Sequence, residues 1–135
     1  MNIELTTKEY RRLLDLVYIG NWILNSTRGA DRISDYDKVM SAIFARSKDT
    51  SLAEVCDVCE CGAMPSREFV EGGIHEAIMD YEDTIFFEIL AEELARRDMV
   101  EFSSNQEDSE ELNNRISEYI SEFEQNGTDN VLVDI

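Results

Sequence analysis

The sequence predicts a mainly helical protein, a bundle of about four main helices around an apolar N-terminal helix. Residues 8–25 are the most apolar run of an otherwise acidic chain, and their apolar side chains cover more than one helical face. Three later stretches repeat apolar residues at spacings of three and four, the period of an amphipathic helix. With 135 residues, the chain is expected to form a single helical domain over 1–135.

The first helix is predicted from Lys8 to about Leu24 or Ser26. Thr6 or Thr7 can cap its start, because a hydroxyl oxygen there accepts a hydrogen bond from a free backbone amide. The apolar residues are too widely spread for one neighbouring helix to bury, so other elements are expected to cover this helix on all sides. They are Leu13, Leu14, Leu16, Val17, Tyr18, Ile19, Trp22, Ile23 and Leu24.

The second helix is predicted from a cap at Ser34 or Asp35 to about Ser47, and a short helical turn is expected over 51–55. Its apolar residues form one narrow stripe, which suits packing against the first helix. They are Tyr36, Val39, Met40, Ile43 and Phe44.

The main loop is predicted from Cys56 to Gly73, where the helical period is lost. This segment contains the only proline and three of the six glycines. Long irregular segments are uncommon in compact domains and often carry function. This loop is therefore a segment in which function or mobility is expected.

Two more helices are predicted in the second half of the chain. The third region, 74–99, is one long helix or two helices with a break near 80–83. The fourth covers about 107–125, and Asn126-Gly127 is expected to end it because glycine readily adopts the left-handed conformation. Its buried stripe is Leu112, Ile116, Tyr119, Ile120 and Phe123. The β-prone tail 130–135 can pair with residues 3–5 as a short two-stranded sheet of the termini.

The charge of the chain is strongly negative and unevenly distributed. Thirty acidic and twelve basic side chains give a formal charge of -18. Residues 1–50 carry 8 basic and 7 acidic side chains, residues 51–100 carry 3 and 13, and residues 101–135 carry 1 and 10. Such a field repels phosphate, so direct binding of nucleic acid or of an anionic membrane is not expected. A basic protein or a cation is attracted instead.

The N-terminal sequence predicts a cytoplasmic protein. Its first ten residues are mixed polar and lack the basic and apolar regions of a signal peptide. The apolar stretch 13–24 is too short to span a bilayer and contains Asp15 and Asn21. Three clustered cysteines are also too few and odd in number for a secreted disulfide framework.

A zinc site is one hypothesis for the loop, because three thiolates and one imidazole can complete a tetrahedral coordination. The ligands would be Cys56, Cys59, Cys61 and His75, the only histidine. The spacing departs from the commoner pattern of two C-x2-C pairs. The carboxylates of Asp57 and Glu60 attract a cation, but they also disfavour deprotonation of three adjacent thiols to thiolates. Free or partly buried thiols in a loop are therefore the alternative. The same carboxylates argue against a cysteine nucleophile, and no catalytic residue is predicted.

The run from Ile3 to Trp22, with the stretch from Phe86 through Asp98, resembles small acidic bacterial proteins of uncharacterised function. The resemblance covers a minority of the chain, and its motifs are packing motifs. It therefore implies no reaction and no site residues.

The function predicted is non-enzymatic protein–protein association, with a protein partner or with itself as a homodimer. The first helix offers more apolar surface than three modest stripes can cover. Two alternatives stay open: a zinc-binding regulatory protein that uses the cysteine loop, and an acidic mimic of nucleic acid that blocks a basic partner. The mimic would use acidic helix faces, including Glu107, Asp108, Glu110, Glu111, Glu118, Glu122 and Glu124.

Overall fold

The computed structural model describes residues 2–100 and 108–133. This part of the chain is mainly helical, with four long helices and a small two-stranded antiparallel sheet. The chain divides into two compact units, Met1–Ile78 and Met79–Ile135. The single domain over 1–135 and the arrangement of the helices as one bundle stay predictions.

Helix α1 runs from Thr7 to Asn25 and begins with a reciprocal cap at Thr6, as predicted. The Thr6 hydroxyl oxygen accepts a hydrogen bond from the Glu9 amide at 3.3 Å, and the Glu9 carboxylate accepts one from the Thr6 amide at 2.8 Å. Two backbone amides at the helix start are thereby satisfied. The Thr6 hydroxyl and amide, by donating to the Glu9 carboxylate, lower its pKa from the ordinary value.

Helix α2 runs from Ser34 to Ala45, so Ser34 is its first helical residue. The cap position is Ile33, whose side chain makes no hydrogen bond. The predicted cap at Ser34 or Asp35 is therefore wrong, because both residues already lie inside the helix, and the bond from the Ile33 amide to the side-chain oxygen of Asn25 at 2.9 Å fixes Ile33 in front of it.

Two short 3-10 turns follow α2. The first, Arg46–Asp49, replaces the predicted last residues of the helix up to Ser47. The second, Ala53–Val55, confirms the helical turn predicted for 51–55.

A β-hairpin occupies the first half of the predicted main loop. Strand β1 (Cys56–Cys59) pairs antiparallel with strand β2 (Gly62–Pro65), and Cys59 lies opposite Gly62. Gly62 has a φ of +117°, a conformation that glycine tolerates. The prediction of an irregular loop is wrong here because each strand has four residues and buries only one, which leaves no alternating pattern to detect.

The second half of the predicted loop is partly helical. A one-turn helix, α3 (Arg67–Phe69), is followed by the segment Val70–Ile74, which is helical only in part. The Ser66 hydroxyl caps α3 by accepting a hydrogen bond from the Phe69 amide at 3.2 Å. Gly72 and Gly73 have non-helical backbone angles, and Gly73 has a φ of +106°, so the chain is kinked at these two residues before the next helix begins.

Helix α4 runs from His75 to Val100 without a break. Of the two alternatives predicted for residues 74–99, one long helix is therefore correct and two helices are not. Helix α5 runs from Asp108 to Asn126. Gly127 has a φ of +56° and ends α5 as predicted, since its amide donates to the Phe123 carbonyl at 2.9 Å. Phe123 is buried and the rest of the predicted stripe is half-buried.

The predicted sheet of the termini is not formed by the described residues. Residues 2–6 and 131–133 are irregular, and Asp134 and Ile135 lie outside the described residues. The observed two-stranded sheet is the hairpin instead. A tight turn holds its strands together, whereas isolated short strands are marginal in water.

The core of the first unit is formed by α1, α2, the hairpin and the segment around α3. Its buried residues are Leu14, Phe44, Val55, Cys56, Ala63, Phe69 and Ile74. The rings of Phe44 and Phe69 meet edge to face with centroids 5.0 Å apart. The Tyr10 hydroxyl on α1 donates to the Ile43 carbonyl on α2 at 2.6 Å, so a hydrogen bond complements the apolar packing of these helices.

Within the second unit, α4 and α5 contact each other through aromatic rings and a hydrogen bond. Phe87 and Phe123 lie with ring centroids 5.5 Å apart. The Tyr119 hydroxyl donates to the Asp98 carboxylate at 2.6 Å. That bond lowers the pKa of Asp98 and raises the pKa of Tyr119. Among the described helices, none is long and apolar enough to cross a bilayer.

Candidate functional site

The structure does not bring the four predicted zinc ligands together. Cys59 and Cys61 form a disulfide with Cα atoms 5.2 Å apart, whereas Cys56 is a free thiol buried in the core. His75 lies at the start of α4, and its Nε2 atom is 2.7 Å from the Tyr18 hydroxyl oxygen. Within residues 2–100 and 108–133, no three His, Cys, Asp or Glu side chains are arranged to hold a metal ion. The zinc hypothesis stays a prediction.

An aromatic cluster of Tyr18, Trp22 and His75 joins α1 to the first turn of α4. The His75 ring lies edge to face with both partners, with centroids 5.6 Å from Tyr18 and 4.8 Å from Trp22. Burial raises the pKa of Tyr18. His75 is therefore packed and hydrogen-bonded. Sequence reasoning missed this cluster because Tyr18 and His75 are 57 positions apart and no motif links them.

Two buried asparagines, Asn21 and Asn25, fix the end of α1 to α2. The Asn25 amide nitrogen donates to the Asn21 oxygen at 2.7 Å and to the Ile33 carbonyl at 3.1 Å. Asn21 donates in turn to Asp37 at 3.0 Å, and Arg32 pairs with the same carboxylate. These bonds, that of Arg32 first, lower the pKa of Asp37. Among the described residues, no buried polar side-chain atom lacks a hydrogen-bond partner.

An apolar surface, the α1 strip, runs along a side of α1 different from the side that carries Leu14. It consists of Leu13, Leu16, Val17, Gly20, Ile23 and Leu24. At about 100° per residue these positions fall within an arc of about 120°, and no charged residue between 13 and 24 falls inside it. Leu16 is 69% exposed and Ile23 is 58% exposed. The prediction that other elements cover α1 on all sides is therefore not confirmed.

The α1 strip continues toward the N-terminus as an open groove of about 610 Å³. Leu13 and Leu16 line it on the helix, and Ile3 and Leu5 line it on the preceding extended segment. Its polar margin carries both signs of charge, from Lys8, Glu9 and Arg12. The strip and the groove together form one largely apolar surface, with Lys8, Glu9 and Arg12 in its N-terminal part.

The acidic side of α5 is partly engaged in local contacts. Glu111 pairs with Arg115 at 3.1 Å. Glu122 accepts hydrogen bonds from Asn130 at 2.6 Å and Asn126 at 2.9 Å, which lower its pKa. Glu107 lies outside the described residues. The acidic mimic and the simple solvated face both stay predictions.

Comparisons with protein-family models, with curated proteins and with solved structures found no match. The resemblance to small acidic bacterial proteins therefore stays a prediction. The functional proposal below depends on the geometry and charge of this chain alone.

Proposed function

We propose that this protein is non-enzymatic and acts by protein–protein association, as a homodimer whose contact surface is the α1 strip. The observation that carries the proposal is the exposure of Leu16 and Ile23 within a charge-free helical face. Exposed apolar patches rimmed by polar residues mark protein contact sites, and burying them is favourable by about 25 cal/mol per Å². An amphipathic helix presenting such a face is a recurrent binding element.

The charge distribution favours a second copy as the partner. Each chain carries a net charge of -18, so two copies repel each other over most of their surfaces. The α1 strip lies within residues 1–50, where 8 basic and 7 acidic side chains nearly balance. Two copies that meet through this part of the chain bring their least charged surfaces together. This arrangement gives the smallest electrostatic cost of self-association.

The edge of the surface also suits a two-fold interface. In a symmetric dimer the same patch of both copies forms the contact, so each patch must complement itself. Lys8 and Arg12 are positive and Glu9 is negative at the groove margin, which permits opposite charges to meet across the axis. Gly20 lies in the middle of the strip, and a Cβ atom placed there would meet nothing within 4 Å. Two helices can therefore approach closely at this position.

The test replaces Leu16 with glutamate and measures the association state by sedimentation equilibrium over a wide concentration range. We expect the unaltered protein to dimerise and Leu16→Glu to remain monomeric, because dimerisation would bury an unpaired carboxylate in each copy. The matched control is Val39→Glu on α2, where an apolar side chain 55% exposed also receives a charge. This control is expected to dimerise like the unaltered protein, and circular dichroism verifies that both variants fold.

Two results would contradict the proposal. One is a monomer at every concentration reached with the unaltered protein. The other is equal weakening of the dimer by Leu16→Glu and Val39→Glu, which would indicate a general effect of added negative charge. We also propose that the protein is cytoplasmic, and subcellular fractionation tests this: recovery outside the cytoplasmic fraction would contradict it.

A further inference from the structure

We infer that the Cys59–Cys61 pair is a reversible thiol–disulfide exchange site that reacts with low-molecular-weight thiols and leaves Cys56 unreacted. The inference is independent of dimerisation through the α1 strip. It depends on where the hairpin places three cysteines that lie within six residues of one another.

The disulfide lies at the exposed end of the hairpin. Cys59 is the last residue of β1, Cys61 precedes the first residue of β2, and both residues are exposed. Thiol–disulfide exchange requires an attacking thiolate to reach a sulfur atom, so access limits the reaction. An exposed turn gives that access without unfolding.

The hairpin is also held by contacts that do not involve sulfur. Strands β1 and β2 pair in a four-residue register, and the Ser66 amide donates to the Val55 carbonyl at 2.9 Å just beyond it. The Ala63 amide donates to the Ser41 hydroxyl oxygen on α2 at 3.0 Å. The disulfide itself joins cysteines only two positions apart, and a short loop constrains the unfolded chain little. Opening the bond therefore leaves the hairpin in place.

Cys56 is kept out of the reaction by burial and by direction. It is 1% exposed and belongs to the core cluster of the first unit. Cys56 and Cys59 are three positions apart on β1, so their side chains point to opposite faces of the strand and their Cα atoms are separated by about 10 Å. Exchange is therefore confined to Cys59 and Cys61.

The reaction proceeds in two balanced steps. A thiolate RS⁻ attacks one sulfur of the pair, the Cys59–Cys61 bond breaks, and a mixed disulfide forms while the other cysteine leaves as a thiolate. A second RS⁻ attacks the R sulfur of the mixed disulfide, releasing RSSR and the second cysteine thiolate, and solvent protonates the thiolates. Two electrons pass from two thiols to the protein. In reverse, RSSR reoxidises the pair. Closure of the protein disulfide in that direction is favoured because the paired strands keep the two cysteines close.

The charges beside the pair determine which thiols react fastest. Glu60 lies between the two cysteines, and Asp57 is two residues before Cys59 on β1; both are exposed. Their negative field lowers the local concentration of negative thiolates. We expect cysteamine, whose thiolate form is neutral overall, to react faster than mercaptoethanol, and mercaptoethanol faster than mercaptoethanesulfonate. Rates are compared per thiolate and relative to the rate of the same thiol with a neutral small-molecule disulfide, since thiol pKa affects both the thiolate fraction and its nucleophilicity.

The experiment uses the full-length folded protein, first oxidised and then incubated with each of the three thiols. Thiols are trapped by alkylation and located by mass spectrometry after proteolysis. We expect Cys59 and Cys61 to become alkylated together, Cys56 to stay unmodified, and oxidised reagent to restore the disulfide. Cys56→Ala should exchange like the unaltered protein, whereas Cys61→Ser should yield no pair. Glu60→Gln should raise the sulfonate rate at least about threefold at low salt, if its thiolate lies about 7 Å from the removed carboxylate charge in water.

Slow hydrogen exchange of the Ala63 amide reports whether the hairpin stays docked on α2 after reduction. Protection retained in the reduced protein supports a site that reacts without unfolding. The inference is overturned if the oxidised preparation contains three titratable thiols, if reduction requires denaturant, or if Cys56 is alkylated at the same rate as its neighbours. It is equally overturned if reduction abolishes the protection of Ala63, because the disulfide would then be structural.

Discussion

Replacing Gly20 with alanine is expected to stabilise the fold and weaken the dimer at the same time. Gly20 lies inside α1, where glycine costs about 0.5–1 kcal/mol relative to alanine because the unfolded chain loses more conformational freedom. An added Cβ meets nothing within 4 Å, so no steric term opposes this gain. For a chain of this length the gain corresponds to a rise in melting temperature of about 2–4 °C.

The assay is thermal unfolding followed by circular dichroism, with the protein dilute enough to be monomeric. Gly127→Ala provides the contrasting control, because Gly127 has a φ of +56° and an L-residue there is strained. The same chemical change is therefore expected to lower the melting temperature at 127 and to raise it at 20. A loss of stability in dilute Gly20→Ala would refute the reasoning, since it would mean that another group lies against Gly20. At higher concentration, sedimentation should show weaker association if two helices meet at this glycine.

Two further predictions concern the stability of the first unit. Phe44→Ala is expected to lower the free energy of unfolding, measured in urea, by about 3–5 kcal/mol, because Phe44 is fully buried and its removal leaves a cavity. As a control, Val39→Ala on the exposed side of α2 should change the free energy of unfolding by about 0.5 kcal/mol or less. Asp37 has a lowered pKa, so its carboxylate stabilises the fold above the ordinary aspartate pKa of about 4, and this contribution is lost as pH falls through the lower folded value. Asp37→Asn should therefore destabilise the protein at pH 7, with the difference from the unaltered protein shrinking in acid; a pH-independent difference would contradict this origin.

The helices could be predicted from the sequence because their determinants are local. The cap at Thr6, the stop at Gly127 and the apolar period place α1 and α5 within about two residues of their observed ends. The hairpin could not be predicted in this way. Its strands bury one residue each, at Cys56 and Ala63, and the glycine with positive φ lies at the start of β2 rather than in a familiar two-residue turn.

Residues distant in sequence account for the remaining differences. The apolar residues of α1 suggested a helix covered on all sides, yet its buried side includes Asn21 and Asn25, and its exposed side includes Leu16 and Ile23. Composition alone could not separate these sides, because an asparagine can be buried only where suitable hydrogen-bond partners exist. Those partners, such as Ile33, are supplied by the fold and not by the local sequence.

The hydrogen bonds between Asn25 and the backbone of Ile33 also fix the length of the connection from α1 to α2. The Asn25 side chain accepts a hydrogen bond from the Ile33 amide at 2.9 Å and donates one to the Ile33 carbonyl at 3.1 Å. A single side-chain amide therefore binds both backbone polar groups of Ile33. Surface connections generally tolerate added residues, because extending a flexible loop costs little entropy. These bonds fix the length of the connection over residues 26–32. A one-residue insertion there would break them and leave the buried side-chain amide of Asn25 without its Ile33 partners.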